Sequence, residues 1–343
     1  MRRRTGKDRS FAPSSSSAPP RGPPRRRTGI RNKGAIKGVK LIQSLQEIHP
    51  PRPTAVALGF FDGVHLGHRA VVGAAAAYAK GADGLLPVAF SFSTARHAPQ
   101  KKAGGRIYPD EQRALLLGEA GARLVVLPPF EAIASMEPRE FAGLLCGRLQ
   151  AKVVCCGADY RFAKGGAAGV RELEELCREY GAHLEIVKPV TLGGERVSTT
   201  LIRQALAAGE VEKAARLLGG CYFIDTVVCT GRQIGRTLGF PTINQPFFYN
   251  AALPRFGVYA AFAVVDGKRL PAVANIGVKP TVGEHFAPGA ETYILDFNRD
   301  LYGQRVRVEL CAFLRPEERY DSLEELKGQI VRDCEQARLH CIG

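Results

Sequence analysis

The chain has 343 residues, of which 45% are hydrophobic and 24% charged, the balance of a globular protein with room for two domains. The formal charge of +15 suggests nucleic-acid binding, but residues 1–38 alone contain twelve Lys or Arg against one Asp. No apolar stretch has the length of a membrane span or the pattern of a secretory signal, so we expect a cytoplasmic protein without a membrane partner.

The basic segment 1–38 is rich in Ser, Pro and Arg and has almost no apolar residues to bury, so we expect it to be disordered. One interpretation is an arm for nucleic acid or another anionic surface, which could bind weakly. The interpretation that we favour is a dispensable extension, because coherent patterning begins near Val39.

Nine cysteines are an odd number, and none stands in a C-x-x-C pair. We interpret them as reduced thiols of a cytosolic protein. Cys155 and Cys156 fall in an apolar, strand-like run, where cysteine behaves as a small buried hydrophobe. We expect no metal there, because histidines at ligand spacing are absent nearby.

From Thr54 to about Gly219, short apolar runs alternate with amphipathic helical patterns. The predicted strands are Ala55–Phe61, Leu86–Phe92, Arg123–Leu127, Lys152–Gly157 and His183–Lys188. The predicted helices are Leu66–Lys80, Asp110–Gly121, Pro138–Leu149, Val170–Tyr180, Thr200–Ala208 and Val211–Leu218. This alternation predicts a parallel, doubly wound α/β sheet.

After Gly220, β-rich runs follow one another without helices between them. The predicted strands are Tyr222–Cys229, Gly257–Val265, Leu270–Gly277, Thr292–Phe297 and Gln304–Phe313, with a hairpin turn at Asp266-Gly267. This pattern predicts a small antiparallel barrel, followed by a helix over Ser322–His340 with Ser322 as its N-cap. We therefore expect a tail (1–38), an α/β domain (39–219) and a barrel domain (220–343).

The first predicted strand runs into the sequence Gly59-Phe-Phe-Asp-Gly-Val-His-Leu-Gly-His68. His65 and His68 are three residues apart at the start of a helix, hence on one face of its first turn. Free amides at a helix start bind anions, and neighbouring imidazoles can bond to phosphate oxygens. A pair of surface histidines after a tight turn is the alternative.

The barrel region contains a glycine-rich turn joined to a P-T-x-N string, Gly231 to Asn244. Glycines allow successive amides to point at phosphate, and a basic side chain can add charge to the same anion. We therefore expect phosphate contacts from Gly231, Gly235, Arg236 and Gly239. Thr242 and Asn244 supply neutral oxygens at alternate positions of an extended segment, which suits Mg²⁺ shared with nucleotide phosphates.

This second string closely resembles the flavokinase signature of riboflavin kinases. The resemblance continues through residues 274–281, 291–297, 301–303 and 313–317. It implies that Glu291 accepts the proton of the riboflavin 5′-hydroxyl, and that Asn275 and Arg315 lie near flavin or nucleotide. From the residues alone, Glu291 could instead be a solvent-facing strand carboxylate, and Arg315 an exposed salt-bridging arginine.

The first string resembles the motif of the H-x-G-H nucleotidyltransferase superfamily, and its flanks resemble the FAD synthetase half of prokaryotic bifunctional riboflavin kinase/FAD synthetases. The segments 157–162 and 197–203 resemble that family's G-x-D-F-R-F and I-S-S-T-x-I-R signatures. The resemblance implies a Rossmann-like domain. It also implies a nucleotide site formed by Gly59, Phe61, Asp62, His65, Gly67, His68, Asp159, Arg161, Ser198, Thr199, Thr200 and Arg203.

Two positions depart from the family. Where it has F-D-P-H-P after the second strand, this chain has Phe90-Ser-Phe-Ser-Thr-Ala-Arg96, so the substrate side of the adenylyltransferase site is altered. Where it has G-R-P-Y at the domain join, the chain has Gly219-Gly-Cys-Tyr222, a segment that we expect to pack rather than react.

Three hypotheses follow. The first is a two-site enzyme that converts riboflavin and ATP to FMN, and FMN and ATP to FAD, with Mg²⁺. The second is a riboflavin kinase with an impaired nucleotidyltransferase domain. The third is a flavin- or nucleic-acid-binding regulator that uses the basic tail, for which affinity would fall steeply with salt. The sequence does not indicate an oligomeric state.

Overall fold

The computed structural model describes residues 38–80, 84–93, 104–231, 235, 238–280 and 286–342. Almost all of the basic segment, the end of the altered Phe90–Arg96 stretch and the expected phosphate ligand Arg236 lie outside these residues.

The first part of the chain forms a six-stranded sheet in which every pairing is parallel. Its strands are β1 (Lys40–Ile42), β2 (Thr54–Leu58), β3 (Leu86–Phe90), β4 (Leu124–Val126), β5 (Ala151–Gly157) and β6 (His183–Val187). The order β1-β4-β3-β2-β5-β6 places the reversal of winding between β2 and β5. The predicted doubly wound sheet is confirmed, and its ligand crevice is expected beyond the carboxyl ends of these two strands.

Helices pack on both faces of this sheet. They are α1 (Leu66–Ala77), α2 (Asp110–Glu119), α3 (Pro138–Gly143), α4 (Val170–Glu179), α5 (Thr199–Ala208) and α6 (Val211–Leu218). The sequence predicted one helix over Pro138–Leu149, but α3 ends at Gly143 and a π-helical turn, Leu144–Arg148, follows. A small hairpin, β7 (Thr191–Leu192) and β8 (Glu195–Arg196), precedes α5.

The second part of the chain is a six-stranded antiparallel sheet with the order β10-β13-β12-β11-β14-β9. Its strands are β9 (Phe223–Val227), β10 (Thr242–Pro246), β11 (Gly257–Val265), β12 (Lys268–Pro280), β13 (Phe286–Ile294) and β14 (Arg305–Arg315). The edge strands β9 and β10 approach each other, since the Cys229 amide donates to the Asn244 carbonyl at 2.8 Å and the Gln245 side chain donates to the Thr226 carbonyl at 2.9 Å. The sheet is therefore a nearly closed barrel, as predicted.

The last helix, α7 (Leu323–Ile342), covers the outer face of the barrel, where Ala337 packs with Val258, Ala260 and Val273. The expected cap is present, since the Glu325 amide donates to Ser322 Oγ at 3.2 Å. None of the helices in the described ranges is long and apolar enough to cross a membrane.

Four strands were missed from the sequence: the two-residue hairpin strands β7 and β8, and also β1 and β10. β1 has three residues, too few to show a period. β10 reads Thr-Ile-Asn-Gln-Pro, and its polar residues and terminal proline do not resemble a strand. Its pairing with β13 over five residues is what makes it one.

The parallel sheet and the barrel are joined by a connector segment, which we define as Gly104–Tyr108. The Arg106 amide donates to the Asn250 carbonyl at 2.8 Å, and the Arg106 carbonyl accepts from the Ala252 amide at 2.7 Å. The Tyr108 ring stacks on Phe223 with 4.5 Å between centroids. A single hydrophobic core therefore runs from the sheet into the barrel.

Gly105 allows this contact. Its φ is +71°, and a Cβ there would lie 2.6 Å from the carbonyl carbon and oxygen of Ala251. We expect Gly105→Ala to lower the free energy of unfolding by about 3 kcal/mol, measured by urea denaturation. Gly193→Ala is the matched control, because its φ is +59° but nothing lies within 4 Å of its Cβ; it should cost about 1 kcal/mol. Equal losses would show that the close approach is unimportant.

Candidate active sites

The turn after β2 is held in an uncommon backbone conformation. Phe61, Gly63 and Val64 have φ values of +52°, +84° and +45°. A positive φ is costly for a β-branched residue, so the surrounding packing must enforce it. Phe61 and Val64 are fully buried, and the turn directs the chain into α1 with His65 as the N-cap.

The two histidines of this turn stack, with 3.6 Å between ring centroids. The His68 amide donates to His65 Nδ1 at 3.3 Å, which caps α1. Burial, with a smaller effect from the charge of Arg196, lowers the pKa of His65 to about 4. Burial also lowers the pKa of His68 well below its usual value, and His68 Nδ1 has no hydrogen-bond partner in the described residues. Both imidazoles are therefore neutral at neutral pH.

Asp62 connects this turn to two distant segments. Its buried carboxylate accepts from Arg203 Nη2 at 2.6 Å and from the Ile107 amide at 3.0 Å, and its carbonyl accepts from Thr199 Oγ1 at 3.2 Å. Arg203 Nε donates to the Gly105 carbonyl at 2.7 Å. The structure thus brings Asp62, Thr199 and Arg203 together, with the guanidinium directed to a carboxylate of the protein.

The remaining candidates of this site have different surroundings. Asp159 accepts from Arg196 at 2.7 Å, an exposed pair that sequence reasoning did not single out. Arg161 donates to the carbonyls of residues 166 and 167 and shapes its own loop. Ser198 caps α5 by accepting from the Leu201 amide, and Thr200 is exposed beside it.

Serines occupy the positions where the family's F-D-P-H-P has aspartate and histidine. Ser91 Oγ donates to the Phe60 carbonyl at 2.8 Å and accepts from Arg113 Nη2 at 2.7 Å. Ser93 Oγ donates to Asp110, which also accepts from Arg113 Nη1 at 2.9 Å. The guanidinium of Arg113 is fully buried and also donates to the Phe60 carbonyl at 2.6 Å. Sequence reasoning missed Arg113, which looks like one charged residue of an amphipathic helix.

The barrel brings three distant candidates into one cross-strand row. Glu291 on β13 is directly opposite Asn244 of β10 on one side and Asn275 of β12 on the other. Directly opposite residues of antiparallel strands project from the same face, with Cβ atoms about 5 Å apart. Asn275 Oδ1 is buried without a hydrogen-bond partner among the described residues. Thr242 is on the same face, two residues before Asn244.

The glycine-rich turn lies against this row. A Cβ on Gly231 would be 2.5 Å from Asn244 Nδ2, and one on Gly235 would be 2.4 Å from the Phe240 carbonyl oxygen and 3.5 Å from the Thr242 methyl carbon. Gly235 therefore needs glycine because the obstacle is backbone, whereas a side chain at Gly231 would require Asn244 to move. Gly239 has a φ of +88° and an open surrounding. Gly231 and Gly235 therefore lie against the P-T-x-N strand.

Arg315 is at the end of the same row, opposite Val258. Its guanidinium makes a bidentate pair with the buried Asp333 of α7, at 3.0 Å from Nε to Oδ1 and 2.8 Å from Nη2 to Oδ2. The pKa of Arg315 is raised, because the bond and the charge of Asp333 outweigh its partial burial. Arg315 is salt-bridged as the alternative predicted, but its side chain is only 15% exposed, so the exposure in that alternative is wrong. A direct ligand role for Arg315 stays a prediction.

Comparisons with known proteins agree with both halves of the chain. The family model described as FAD synthetase matches residues 47–201, and the one described as riboflavin kinase matches residues 218–341. The bifunctional riboflavin kinase/FMN adenylyltransferase of Escherichia coli K12 is 35% identical over 303 residues, which cover 86% of this chain and 96% of that protein. The protein of the same description from Bacillus subtilis is 33% identical, over 83% of this chain and 91% of its own length.

A solved structure also matches. The crystal structure of a macrolide-efflux protein from Streptococcus pneumoniae superposes with a TM-score of 0.76 and 28% identity. The match covers 88% of this chain and 99% of that one.

The neutral state of His65 predicts a pH dependence of stability. The pKa of His65 is near 4 in the folded protein and about 6.5 in the unfolded chain. Between these two pH values the imidazole is protonated mainly in the unfolded chain. Stability from this group is complete above pH 6.5 and declines towards pH 4. The free energy of unfolding should fall between pH 7 and pH 5, and we expect this fall to be about 2 kcal/mol smaller in His65→Asn than in the unsubstituted protein. Urea denaturation at the two pH values measures it. The exposed His49 provides the control, since His49→Asn should leave the loss unchanged.

Proposed function

The chain belongs to the bifunctional riboflavin kinase/FMN adenylyltransferase family, and from that membership we propose which of its residues perform each reaction. The enzyme phosphorylates riboflavin with ATP to give FMN, and adenylylates FMN with ATP to give FAD. We propose the domain boundary between Gly219 and Gly220, which agrees with family matches that end at residue 201 and begin at residue 218.

We propose that the kinase reaction takes place at the row of Asn244, Glu291 and Asn275. The riboflavin 5′-hydroxyl attacks the γ-phosphorus of ATP, its proton passes to the Glu291 carboxylate, and ADP leaves. The observation that supports this assignment is the register that sets Glu291 between two amide side chains, beside the glycine-rich turn. The unpartnered Asn275 Oδ1 is suited to accept a hydrogen bond from a bound substrate.

We propose that Thr242 and Asn244 hold Mg²⁺. Their side chains offer a hydroxyl and an amide oxygen on one face of β10, and the opposite strand presents a carboxylate on that face. Hard oxygen ligands of this kind fit Mg²⁺, which also binds nucleotide phosphates. When bound, the ion neutralises charge that develops on those phosphates. Gly231, Gly235 and Gly239 are proposed to offer backbone amides to the same phosphates.

We propose that adenylyl transfer takes place beyond the carboxyl end of β2. A phosphate oxygen of FMN attacks the α-phosphorus of ATP, the α–β bond breaks, and pyrophosphate leaves. The amides at the start of α1 and the imidazoles of His65 and His68 would bind the phosphate oxygens. Both imidazoles are neutral in the folded protein, so a bound triphosphate would favour their protonation through its charge. Asp62 and Arg203 would fix the turn.

The other nucleotide ligands in this proposal follow from the resemblance to the family's signatures and are Gly59, Phe61, Gly67, Asp159, Arg161, Ser198, Thr199 and Thr200.

We place the enzyme in the cytoplasm, where ATP is available and thiols remain reduced, in agreement with nine free cysteines. Both halves match enzyme families, so the regulator hypothesis has no specific observation in its favour.

Reciprocal variants test the two sites. We expect Glu291→Gln to slow FMN formation by about 100-fold or more, because a general base is lost, and to leave FAD formation from supplied FMN unchanged. We expect His68→Asn to do the reverse. The measurement is chromatography of riboflavin, FMN and FAD over time with ATP and Mg²⁺, and each variant is the control for the other.

Parallel loss of both activities in either variant would contradict the separation of the sites. FMN that accumulates without FAD in the unsubstituted enzyme would favour the kinase-only hypothesis.

The metal ligands have their own test. Thr242→Ala combined with Asn244→Ala should raise the Mg²⁺ concentration for half-maximal kinase activity by roughly tenfold or more, because two oxygen ligands are lost. The Mg²⁺ dependence of FAD formation should not change. Asn298→Ala, in an exposed turn of the barrel, is the control. An unchanged kinase titration would exclude the pair as ligands.

A further inference from the structure

Cys221 and Cys311 face each other across two antiparallel strands. In the pairing of β9 with β14, Phe223 is opposite Glu309. The pairing continues past the end of β9, since the Leu310 amide donates to the Tyr222 carbonyl at 2.9 Å. The next pair in this register is Cys221 and Cys311. Directly opposite residues have Cα atoms about 4.5 to 5.5 Å apart, within the range that a disulfide requires.

The Cys311 thiol donates to the Glu309 carbonyl at 3.6 Å and also lies in contact with the Cys221 thiol. Contact with the Cys311 thiol lowers the pKa of Cys221 and outweighs the opposing effects of burial and the charge of Glu309, and the charge of Arg269 contributes to the lowering. The same contact, together with burial, raises the pKa of Cys311. Of the two thiols, Cys221 is therefore the one whose thiolate form is favoured.

Cys221 is also accessible. It is half-buried and lines an open cavity of about 150 Å³, together with Arg69, Tyr108 and Glu119. A small oxidant has room there beside the thiolate. A third thiol, that of Cys341 on α7, donates to the Ala261 carbonyl at 3.4 Å and also contacts Cys311.

The other cysteines lack this combination. Burial raises the pKa values of Cys155 and Cys156 to about 12 and 11. Cys146 contacts Cys177, but Cys177 is only 1% exposed within a hydrophobic core. Cys229 is exposed, and its thiol contacts the Val227 carbonyl.

We propose that Cys221 and Cys311 form a thiol redox site that hydrogen peroxide converts to an intrachain disulfide. The Cys221 thiolate attacks one peroxide oxygen, the O–O bond breaks, and the released hydroxide takes a proton to become water. The Cys311 sulfur then attacks the Cys221 sulfenic acid, the S–S bond forms, and hydroxide leaves with the Cys311 proton as a second water. The two sulfurs lose two electrons, and peroxide is reduced to two waters.

The product would join the first and last strands of the barrel at the segment that leads in from α6. The position of Cys221 is one where the family has proline, so the site is a property of this chain and independent of the two catalytic assignments. The disulfide closes a loop of about 90 residues, so the oxidised protein should melt several degrees higher.

Peptide mapping tests the proposal. The full-length Cys229→Ser protein is treated with an equimolar amount of peroxide at pH 7.5, alkylated, and digested with trypsin without reduction. Cys229 is replaced because it shares the tryptic peptide 217–232 with Cys221. We expect this peptide to be linked to peptide 308–319, which contains Cys311.

Variants define the pair. Cys221→Ser and Cys311→Ser should each abolish the link and the rise in melting temperature, whereas Cys341→Ser, the matched control, should retain both. A link between Cys311 and Cys341, or links between chains only, would overturn the proposal. So would full alkylation of Cys221 and Cys311 after peroxide treatment of the well-folded Cys229→Ser protein.

Discussion

The buried carboxylate of Asp62 is the constraint on which the turn after β2, the proposed adenylyltransferase site, depends. A charge this deep is tolerated only when it is paired and hydrogen-bonded, and Asp62 meets both conditions through Arg203 and the Ile107 amide. Removing one partner of such a pair typically costs about 3 to 5 kcal/mol. The strained turn, the start of α5 and the connector segment are therefore held by one group of atoms.

The connector segment links the Asp62–Arg203 pair to the barrel by hydrogen bonds. The Gly105 carbonyl accepts from Arg203, and the next residue, Arg106, pairs its amide and carbonyl with residues 250–252. The side chain of Arg106 also donates to Asp110 at 3.0 Å, beside Arg113. Two sets of hydrogen bonds therefore connect residues 250–252 of the barrel with the turn after β2, one through Arg106 and one through Gly105 and Arg203.

Ser91 and Ser93, which stand where the F-D-P-H-P motif was expected, are hydrogen-bonded to two residues of α2. Asp110 on α2 supplies a carboxylate to this stretch, and Arg113 connects it to Ser91 and the Phe60 carbonyl. The turn that leads to the histidines keeps a charged, hydrogen-bonded support. Sequence reasoning could identify the loss of F-D-P-H-P, but not this support, because it comes from another helix.

The sequence predicted most of what depends on neighbouring residues, but not the contacts between residues far apart in the chain. Apolar runs and helical periods gave five strands of each six-stranded sheet but not β1 or β10, and the Ser198 cap follows from its residue type at the start of a helical pattern. Arg203 was expected to contact phosphate from its signature, whereas its partner Asp62 is 141 residues away and the bond depends on the folded sheet. The row of Asn244, Glu291 and Asn275 likewise depends on register, which spacing along the chain does not determine.

The same register shows what a barrel offers to the proposed kinase site. Asn244 and Glu291 come from different strands, yet a β-ladder fixes their separation through backbone bonds, without relying on long side chains. Gly231 of the glycine-rich string packs directly against the Asn244 side chain, which is possible because glycine has no Cβ. A site built on paired strands is more rigid than one built on loops alone, which suits phosphoryl transfer, where positioning supplies most of the rate.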